Sequence, residues 1–313
     1  MTPANPLLTV VLIAGNNRER AQRMLRSVFE QDIAEKIVIV VFDRADEPAR
    51  DLPELNRSNV VYETADKRTT LGELRARATR LASTEVIAFI EEHVVVPAGW
   101  ARESLRRHNE GYAGVSGIFS AGNPHHRWAR IVFSITYGSY ALPTQGGEAA
   151  EIPGANSSFI RSKLLKVGDD LELLLASDIL LIRRLRANGE KLYRAANLPL
   201  KHWNDIEFRD GWIALFYSGQ IYICNLLTLE EWSPLRRALR LGAMPLVPFI
   251  RVFRNYRHAG RNGADMKQFF ADLPALLLFH TASAAGMAAG LLFGYQDSER
   301  KFADCETTVK SWD

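Results

Sequence analysis

Glu91, Glu92 and His93 stand side by side at the end of an apolar run, residues 86–90, with Pro97 and Gly99 following as turn residues before Trp100. A carboxylate and an imidazole side by side suit a divalent cation, and a cation there suits a phosphate-bearing substrate. The apolar run reads as a central strand covered on both faces. Open α/β sheets bind ligands outside the C-terminal ends of such strands. On this segment alone, a polar loop after a strand is the competing reading. Asp178 is a second candidate, at the start of a helical stretch over 176–188 that closes on Gly189 in the position of a C-terminal cap. A carboxylate there can act as a general base, or it can merely favour the helix N-terminus through the dipole. His125-His126 invites a metal reading, but adjacent residues on an extended chain point apart, which favours a solvated loop. Trp128 and Tyr137 can form a stacking platform, although isolated aromatics more often belong to a core.

The elements that must position these groups alternate between strand and helix. Residues 8–13 form an apolar run broken at Gly15-Asn16-Asn17-Arg18, and residues 20–31 carry Met24, Leu25, Val28 and Phe29 at helical spacing. A second buried strand over 37–42 ends at Asp43, and a short third strand covers 60–62. A helix over 71–81 carries Arg75, Arg77 and Arg80 and leads into the strand before Glu91. Repeated βα units of this kind predict an α/β fold with a mostly parallel, doubly wound central sheet flanked by helices. No Gly-x-Gly-x-x-Gly follows the first strand and no P-loop occurs, which disfavours a dinucleotide fold. The middle, 111–205, is less regular and includes Gly146-Gly147 and the turn Pro153-Gly-Ala-Asn156.

Composition bounds the classes. The chain of 313 residues is long enough for one large domain or two smaller ones, and 47% hydrophobic with 24% charged residues describes a folded protein. Two cysteines, Cys224 and Cys305, make neither a disulfide framework nor a zinc site and fit a reducing compartment. The first residues lack a basic region ahead of an apolar core, so the catalytic part is expected in the cytosol.

Seven ordered motifs over roughly 7–205 make the chain resemble a family 2 glycosyltransferase of the GT-A, Rossmann-like fold. Val11-Leu-Ile-Ala-Gly-Asn-Asn-Arg18 matches the opening strand and P-T-Y-N-R turn, with Ala14 and Gly15 in place of Pro and Thr. Val40-Val-Phe-Asp43 matches V-V-D-D, and Leu74-Arg75 with Ala82-Ser83 resembles the A-R-N…A-S-G helix. Glu91-Glu92-His93 occupies the place of D-x-D, as in a subgroup with an acid-acid-His motif, and Pro97-x-Gly99-Trp100 continues it. Gly154-Ala-Asn156 resembles the G-A-N acceptor-side turn. Asp178 precedes Arg184-Leu185 and Gly189 at the spacing of E-D…R-L…G, with Ser177 in place of the Glu, and His202 matches the histidine closing the domain.

The resemblance implies a nucleotide-binding set of Ala14, Asn17, Arg18, Asp43, Arg75, Glu91 and Glu92, and a metal set of Glu92, His93 and His202. It places Gly154 and Asn156 on the acceptor side and makes Asp178 the base of an inverting displacement. Asn156 can instead satisfy its own turn, and His202 can simply cap the last strand. Imidazole ligates Mn²⁺ well and Mg²⁺ poorly, so Mn²⁺ is the expected metal. The expected partners are a nucleotide-sugar donor, UDP-linked by analogy, and a glycan or lipid-linked acceptor, as in polysaccharide biosynthesis. Transfer to polyprenyl phosphate is one alternative activity. Another is a non-catalytic GT-A-like protein that binds a nucleotide sugar or serves as a scaffold, motivated by the departures at Ala14, Gly15, His93 and Ser177.

After about 208 the character changes, so the expected division is a catalytic domain over 1–207 and a helical, membrane-associated region over 208–313. Between Trp232 and Ala264 stand Arg236, Arg237, Arg240, Arg251, Arg254, Arg257 and Arg261 and no acid, interleaved with apolar residues. That pattern reads as a surface for anionic lipid headgroups; no nucleic-acid-binding motif accompanies it. Residues 273–295 lack Asp, Glu, Lys and Arg and are just long enough to cross a bilayer of roughly 30 Å, with Gly286-x-x-x-Gly290-x-x-x-Gly294 permitting close helix packing. Its many Ala and Gly residues and His280 favour embedded helices on the cytoplasmic face over a clean single span. The opposing reading is a helix packed on 211–229.

Overall fold

The computed structural model describes residues 5–48 and 52–308. β1 (Leu8–Ala14), α1 (Arg18–Phe29), β2 (Ile37–Asp43), β3 (Val60–Thr64), α2 (Leu71–Leu81) and β4 (Val86–Phe89) form the expected βα series. β1 pairs in parallel with β2 from Leu8↔Ile37 to Ala14↔Asp43, and with β4 on its other side. The strand ends that carry Ala14, Asp43 and the Glu91 turn therefore open at the same end of the sheet. Side chains alternate along β1: Leu8, Val10 and Leu12 enter one apolar cluster and Val11 the other, so the sheet is buried on both faces. α2 begins with a full capping box, the Thr70 hydroxyl accepting from the Glu73 N–H and the Glu73 carboxylate accepting from the Thr70 N–H.

The chain continues through β5 (Val94–Val95), α3 (Trp100–Asn109), β6 (Gly114–Ala121), α4 (Arg127–Thr136), β7 (Gly147–Glu148), β8 (Ser157–Ile160), α5 (Arg161–Leu165), α6 (Leu171–Leu175), α7 (Asp178–Ala187) and β9 (Leu192–His202). The sheet order is β3-β2-β1-β4-β8-β6-β9-β5, with β7 on β9. The all-parallel arrangement ends at β4. β8 enters antiparallel to both β4 and β6, and β9 is parallel to β6 but antiparallel to β5. β1 holds one flank of β4 and leaves the other to β8, while the chain itself turns away at 91–93. The same turn creates β5, whose Val94 pairs with His202.

α8 (Phe208–Leu229), α9 (Pro234–Gly242), α10 (Val247–Arg261), α11 (Met266–Phe293) and α12 (Ser298–Thr307) complete the chain. α8 and α11 pack closely, and glycine makes this possible: a Cβ on Gly286 or Gly219 would collide with the carbonyl of Phe216 or Ser283. The pair is not a separate body. Ile223, Cys224, Leu226 and Met287 share a cluster with Leu171, Leu174 and Leu181, and Phe269 and Phe279 share one with Ile131 and Val132. α8 and α11 are long and apolar enough to cross a membrane, yet about half of each apolar window is buried inside the protein.

Candidate active site

Glu91, His93 and His202 converge just beyond β4. The antiparallel pairing of Val94 with His202 brings the two imidazoles edge to face, with their Nε2 atoms 3.0 Å apart. Glu91 Oε2 lies 3.3 Å from the His93 Nε2 and 3.8 Å from the His202 Nε2. Burial pushes the Glu91 carboxyl up, but the His93 hydrogen bond and the charges of His93, His202 and Arg75 outweigh it and hold Glu91 well below the usual carboxylate range. Burial pulls His93 down while Glu91 more than restores it, leaving His93 raised. Burial and the His93 charge push His202 down to about 3.

These three donor atoms fit a divalent cation. With metal–ligand bonds of about 2.1 Å, two ligands at a right angle stand about 3.0 Å apart, which matches the separation of the two imidazole nitrogens. A donor set of two imidazoles and one carboxylate suits a transition metal better than Mg²⁺. The Nδ1 atoms of both histidines are buried and have no hydrogen-bond partner among the described residues.

Glu92, expected among the ligands, points away. Its Oε2 accepts the Gly15 N–H at 2.7 Å and its Oε1 lies 3.8 Å from the Arg20 guanidinium. Adjacent side chains leaving the strand end diverge, so Glu91 takes the place on the cluster that the sequence reading gave to Glu92. Burial raises the Glu92 carboxyl to about 7, against Arg20 and the Gly15 N–H, which lower it.

Asn156, expected on the acceptor side, belongs to Glu91. Fully buried in a left-handed backbone conformation (φ 58°), it accepts the Glu91 N–H at 2.9 Å through Oδ1. Its amide nitrogen donates to Glu91 Oε2 at 2.6 Å and lies 2.7 Å from the Tyr137 hydroxyl. The Tyr137 hydroxyl also donates to Glu91 Oε2 at 3.0 Å. The strained backbone is kept because the amide then holds both the main chain and the carboxylate of Glu91.

Asp178 begins α7, and its side chain remains 38% exposed, so it is reachable from outside. Its Oδ2 accepts the Ala155 N–H at 2.8 Å, and Arg75 stands 3.9 Å from Oδ1 while donating to the Leu175 carbonyl. Gly154 is where the turn closes over this carboxylate: a Cβ there would fall on Asp178 Cγ. Burial raises the Asp178 carboxyl, Arg75 lowers it and the Glu91 charge raises it; the net direction is up.

The remaining expected residues surround the ends of β1 and β2. Arg18 forms a two-pronged pair with Asp43, at 3.0 and 2.7 Å, and the Tyr62 hydroxyl donates to Asp43 at 2.7 Å. Ala14 is buried, its carbonyl accepting the Arg44 N–H. Asn17 caps α1, its side chain accepting the Arg20 N–H, so it serves the helix rather than pointing to a ligand. His126 likewise caps α4, and Trp128 packs on Phe208 and Phe279. The sequence reading missed Arg20, whose guanidinium joins Glu92 to Asp205, and Glu306 of α12, whose charge neighbours are His93, Glu91, Arg20 and Arg75. Neither belongs to a local motif. Nor does the sequence mark Tyr137 as more than a stacking ring, since its partners Glu91 and Asn156 are distant in the chain.

Comparison with known proteins gives the family and the fold. The model described as Glycosyl transferase family 2 matches residues 9–168. No curated protein matches the chain in sequence. Among solved structures, the crystal structure of S. aureus TarS 1-349 superposes with a TM-score of 0.52 at 12% identity, over 96% of this chain and 90% of that one. A crystal structure of GalNAc-T7 with UDP, GalNAc and Mn²⁺ gives a TM-score of 0.49 at 12% identity, over 64% of this chain and 44% of that chain, so this chain spans less than half of it.

Proposed function

The chain belongs to glycosyl transferase family 2 and has the GT-A fold, and from that premise we propose that it transfers a sugar, with inversion, from a nucleotide-sugar donor to a glycan or lipid-linked acceptor. The observation that carries this reading is the meeting of Glu91, His93 and His202 beside a reachable carboxylate, Asp178, with Arg75 close to both acids. Glu91, His93 and His202 would hold a divalent cation, Mn²⁺ in preference to Mg²⁺. When bound, such a cation neutralises charge that develops on a leaving diphosphate.

The chain's own groups do the rest. Asn156 and Tyr137 fix the Glu91 carboxylate. Asp178 accepts the proton of the acceptor hydroxyl as that oxygen attacks the anomeric carbon; a single carboxylate in this role suits inversion. Its placement by the Gly154–Ala155 turn, rather than by Asn156, is what we assign to the acceptor side. Asp43, Arg18 and Ala14 frame the nucleotide end, with Asn17 holding the start of α1 beside them, and UDP is the first donor to try. As a division of labour, 1–207 carries the chemistry and 208–313 the membrane attachment, at the cytoplasmic face. α9 and α10 expose Leu235, Leu239, Phe249, Ile250 and Phe253 next to arginines, which supports an anionic lipid surface as partner.

Calorimetric titration of nucleotides and nucleotide sugars, with and without Mn²⁺, tests the reading on wild type and His202→Ala. Mn²⁺-dependent binding of one nucleotide that is lost in the variant is the expected result. Binding of none, either by folded wild-type protein or by a folded variant whose α12 contacts to Arg44 are removed, overturns it. The exposed apolar surface favours one second reading, transfer to polyprenyl phosphate. That acceptor is already ionised, so Asp178→Asn would then keep most of its activity.

A further inference from the structure

The end of the sheet assigned above to the donor is already filled by the chain itself. The Asn16 N–H, at the tip of β1, donates to the Thr307 carbonyl at 2.7 Å. The Arg44 guanidinium, fully buried one residue past Asp43, donates to Asp304 Oδ1 at 2.9 Å and Thr307 Oγ1 at 3.0 Å, and to the carbonyls of Thr69 and Lys67. Gly15 has no room for a side chain, because a Cβ there would collide with the Thr307 backbone. Beside these contacts, the Glu306 carboxylate lies within electrostatic reach of the Arg20 and Arg75 guanidinium groups, and of His93 and Glu91 of the proposed metal site. A carboxylate there presents to those two guanidinium groups what a phosphate oxygen of the donor would present.

Resting on the donor reading above, we propose that the last turn of α12, Asp304 to Thr307, is an autoinhibitory occupant of the nucleotide site that a donor must displace. α12 reaches the site from α11 through two residues in the left-handed region, Gly294 (φ 72°) and Gln296 (φ 48°). Near its start the helix is also held to α8, where Lys301 lies over the Tyr217 ring. The docked tip makes polar contacts of the kind a nucleotide can replace: a main-chain N–H and a guanidinium. Donor affinity is thereby reduced by the fraction of molecules in which the tip is undocked.

Two measurements on the full-length chain test this. The first is calorimetric binding of UDP, GDP and CDP with Mn²⁺ to wild type, Asp304→Ala and Thr307→Val. Each substitution removes one acceptor from Arg44, and each is expected to tighten nucleotide binding about ten-fold, as for one hydrogen bond to a charged group shifted from the closed state. The second needs no variant. Cys305 sits on the docked turn and Cys224 is buried between α8 and α11, so alkylation of Cys305 is expected to accelerate when nucleotide and Mn²⁺ are added, with Cys224 unchanged. If wild type binds nucleotide while both variants bind no tighter and Cys305 alkylation stays constant, α12 is a fixed wall and the inference falls with the donor reading intact. If wild type and variants alike bind no nucleotide, the donor reading itself falls and takes the inference with it.

Discussion

Glu91 accepts bonds from Tyr137, Asn156 and His93 on one oxygen, Oε2. Glu91→Gln would replace an acceptor with a group that can also donate, in a pocket whose neighbours already donate. We expect the variant to lose Mn²⁺-dependent nucleotide binding, and Asn156→Ala to weaken it by roughly ten- to a hundred-fold, the usual range for a residue that orients a ligand; calorimetry reads both. Asp178 carries a different prediction. Its carboxyl is raised by burial, with Arg75 opposing, and it accepts a proton only when ionised. Transfer is therefore expected to fall on the acid side, as pH drops through a value above the ordinary aspartate one. Asp178→Asn should lower kcat by roughly 10²- to 10⁴-fold with donor affinity unchanged; equal losses in kcat and donor affinity would give Asp178 a binding role instead. At this scale the sequence was legible where chemistry follows the chain. Motif order brings His93, His202 and Asp178 forward as candidates, and the fold sets the two histidines together. The exchange of Glu92 for Glu91 could not be read this way, because which of two adjacent acids faces the histidines depends on how the strand ends at 91. Nor could the role of Asn156, since its partner lies sixty-five residues away and its backbone is left-handed.

The α8–α11 seam is where an element depends on single atoms. Gly286 and Gly290 were expected to permit close helix packing, and they do so against α8, while Gly294 ends α11 in the left-handed region instead of packing. Gly286→Ala forces a Cβ onto the Phe216 carbonyl, whereas Gly242→Ala meets open space. We expect the first to destabilise by about 1–3 kcal/mol and the second to leave the denaturation midpoint unchanged or raise it; equal effects would mean the seam relaxes freely. α3 depends on His108 in the same way. The buried ring bonds the Tyr112 carbonyl through Nδ1 and Ser158 through Nε2, and burial lowers its pKa from 6.5 to about 4. A depressed histidine contributes stability above its unfolded pKa and loses it as pH falls through the folded value. This ring's share of stability is therefore expected to fall between about pH 6.5 and pH 4 by at most about 3 kcal/mol, read as the part of the melting-temperature drop that vanishes in His108→Gln. Strand and helix periodicity made β1, β2, α1 and α2 readable. The antiparallel entry of β8 was not, because β8 is a four-residue strand, Ser157–Ile160, whose pairing with β4 and β6 joins segments distant in the chain.

Across the whole molecule, the arginines of α9 and α10 and an exposed apolar stripe share one region. Phe249, Ile250, Phe253 and Tyr256 follow helical spacing on α10 and are all exposed, with Arg254, Arg257 and Arg261 also at the surface. An apolar stripe flanked by cations and left uncovered by the fold fits a helix lying in a headgroup layer. α8 and α11, by contrast, spend about half of their apolar windows on each other and on the catalytic core, so a span would have to give up those contacts. Embedding in the interface keeps them. This leads to a prediction with two independent readouts. Sedimentation with phosphatidylglycerol vesicles should capture the protein, neutral phosphatidylcholine vesicles should capture much less, and raising salt from 50 to 500 mM should release part of the bound fraction, since exposed charges are screened within about a Debye length. Phe249→Ser with Phe253→Ser should abolish capture on both vesicle types while leaving nucleotide binding and melting temperature unchanged, because neither ring belongs to a core cluster. Extraction only by detergent, with the double variant still membrane-bound, would instead mean that α8 or α11 crosses the bilayer. The stripe on α10 would then be a rim around that span and not the anchor.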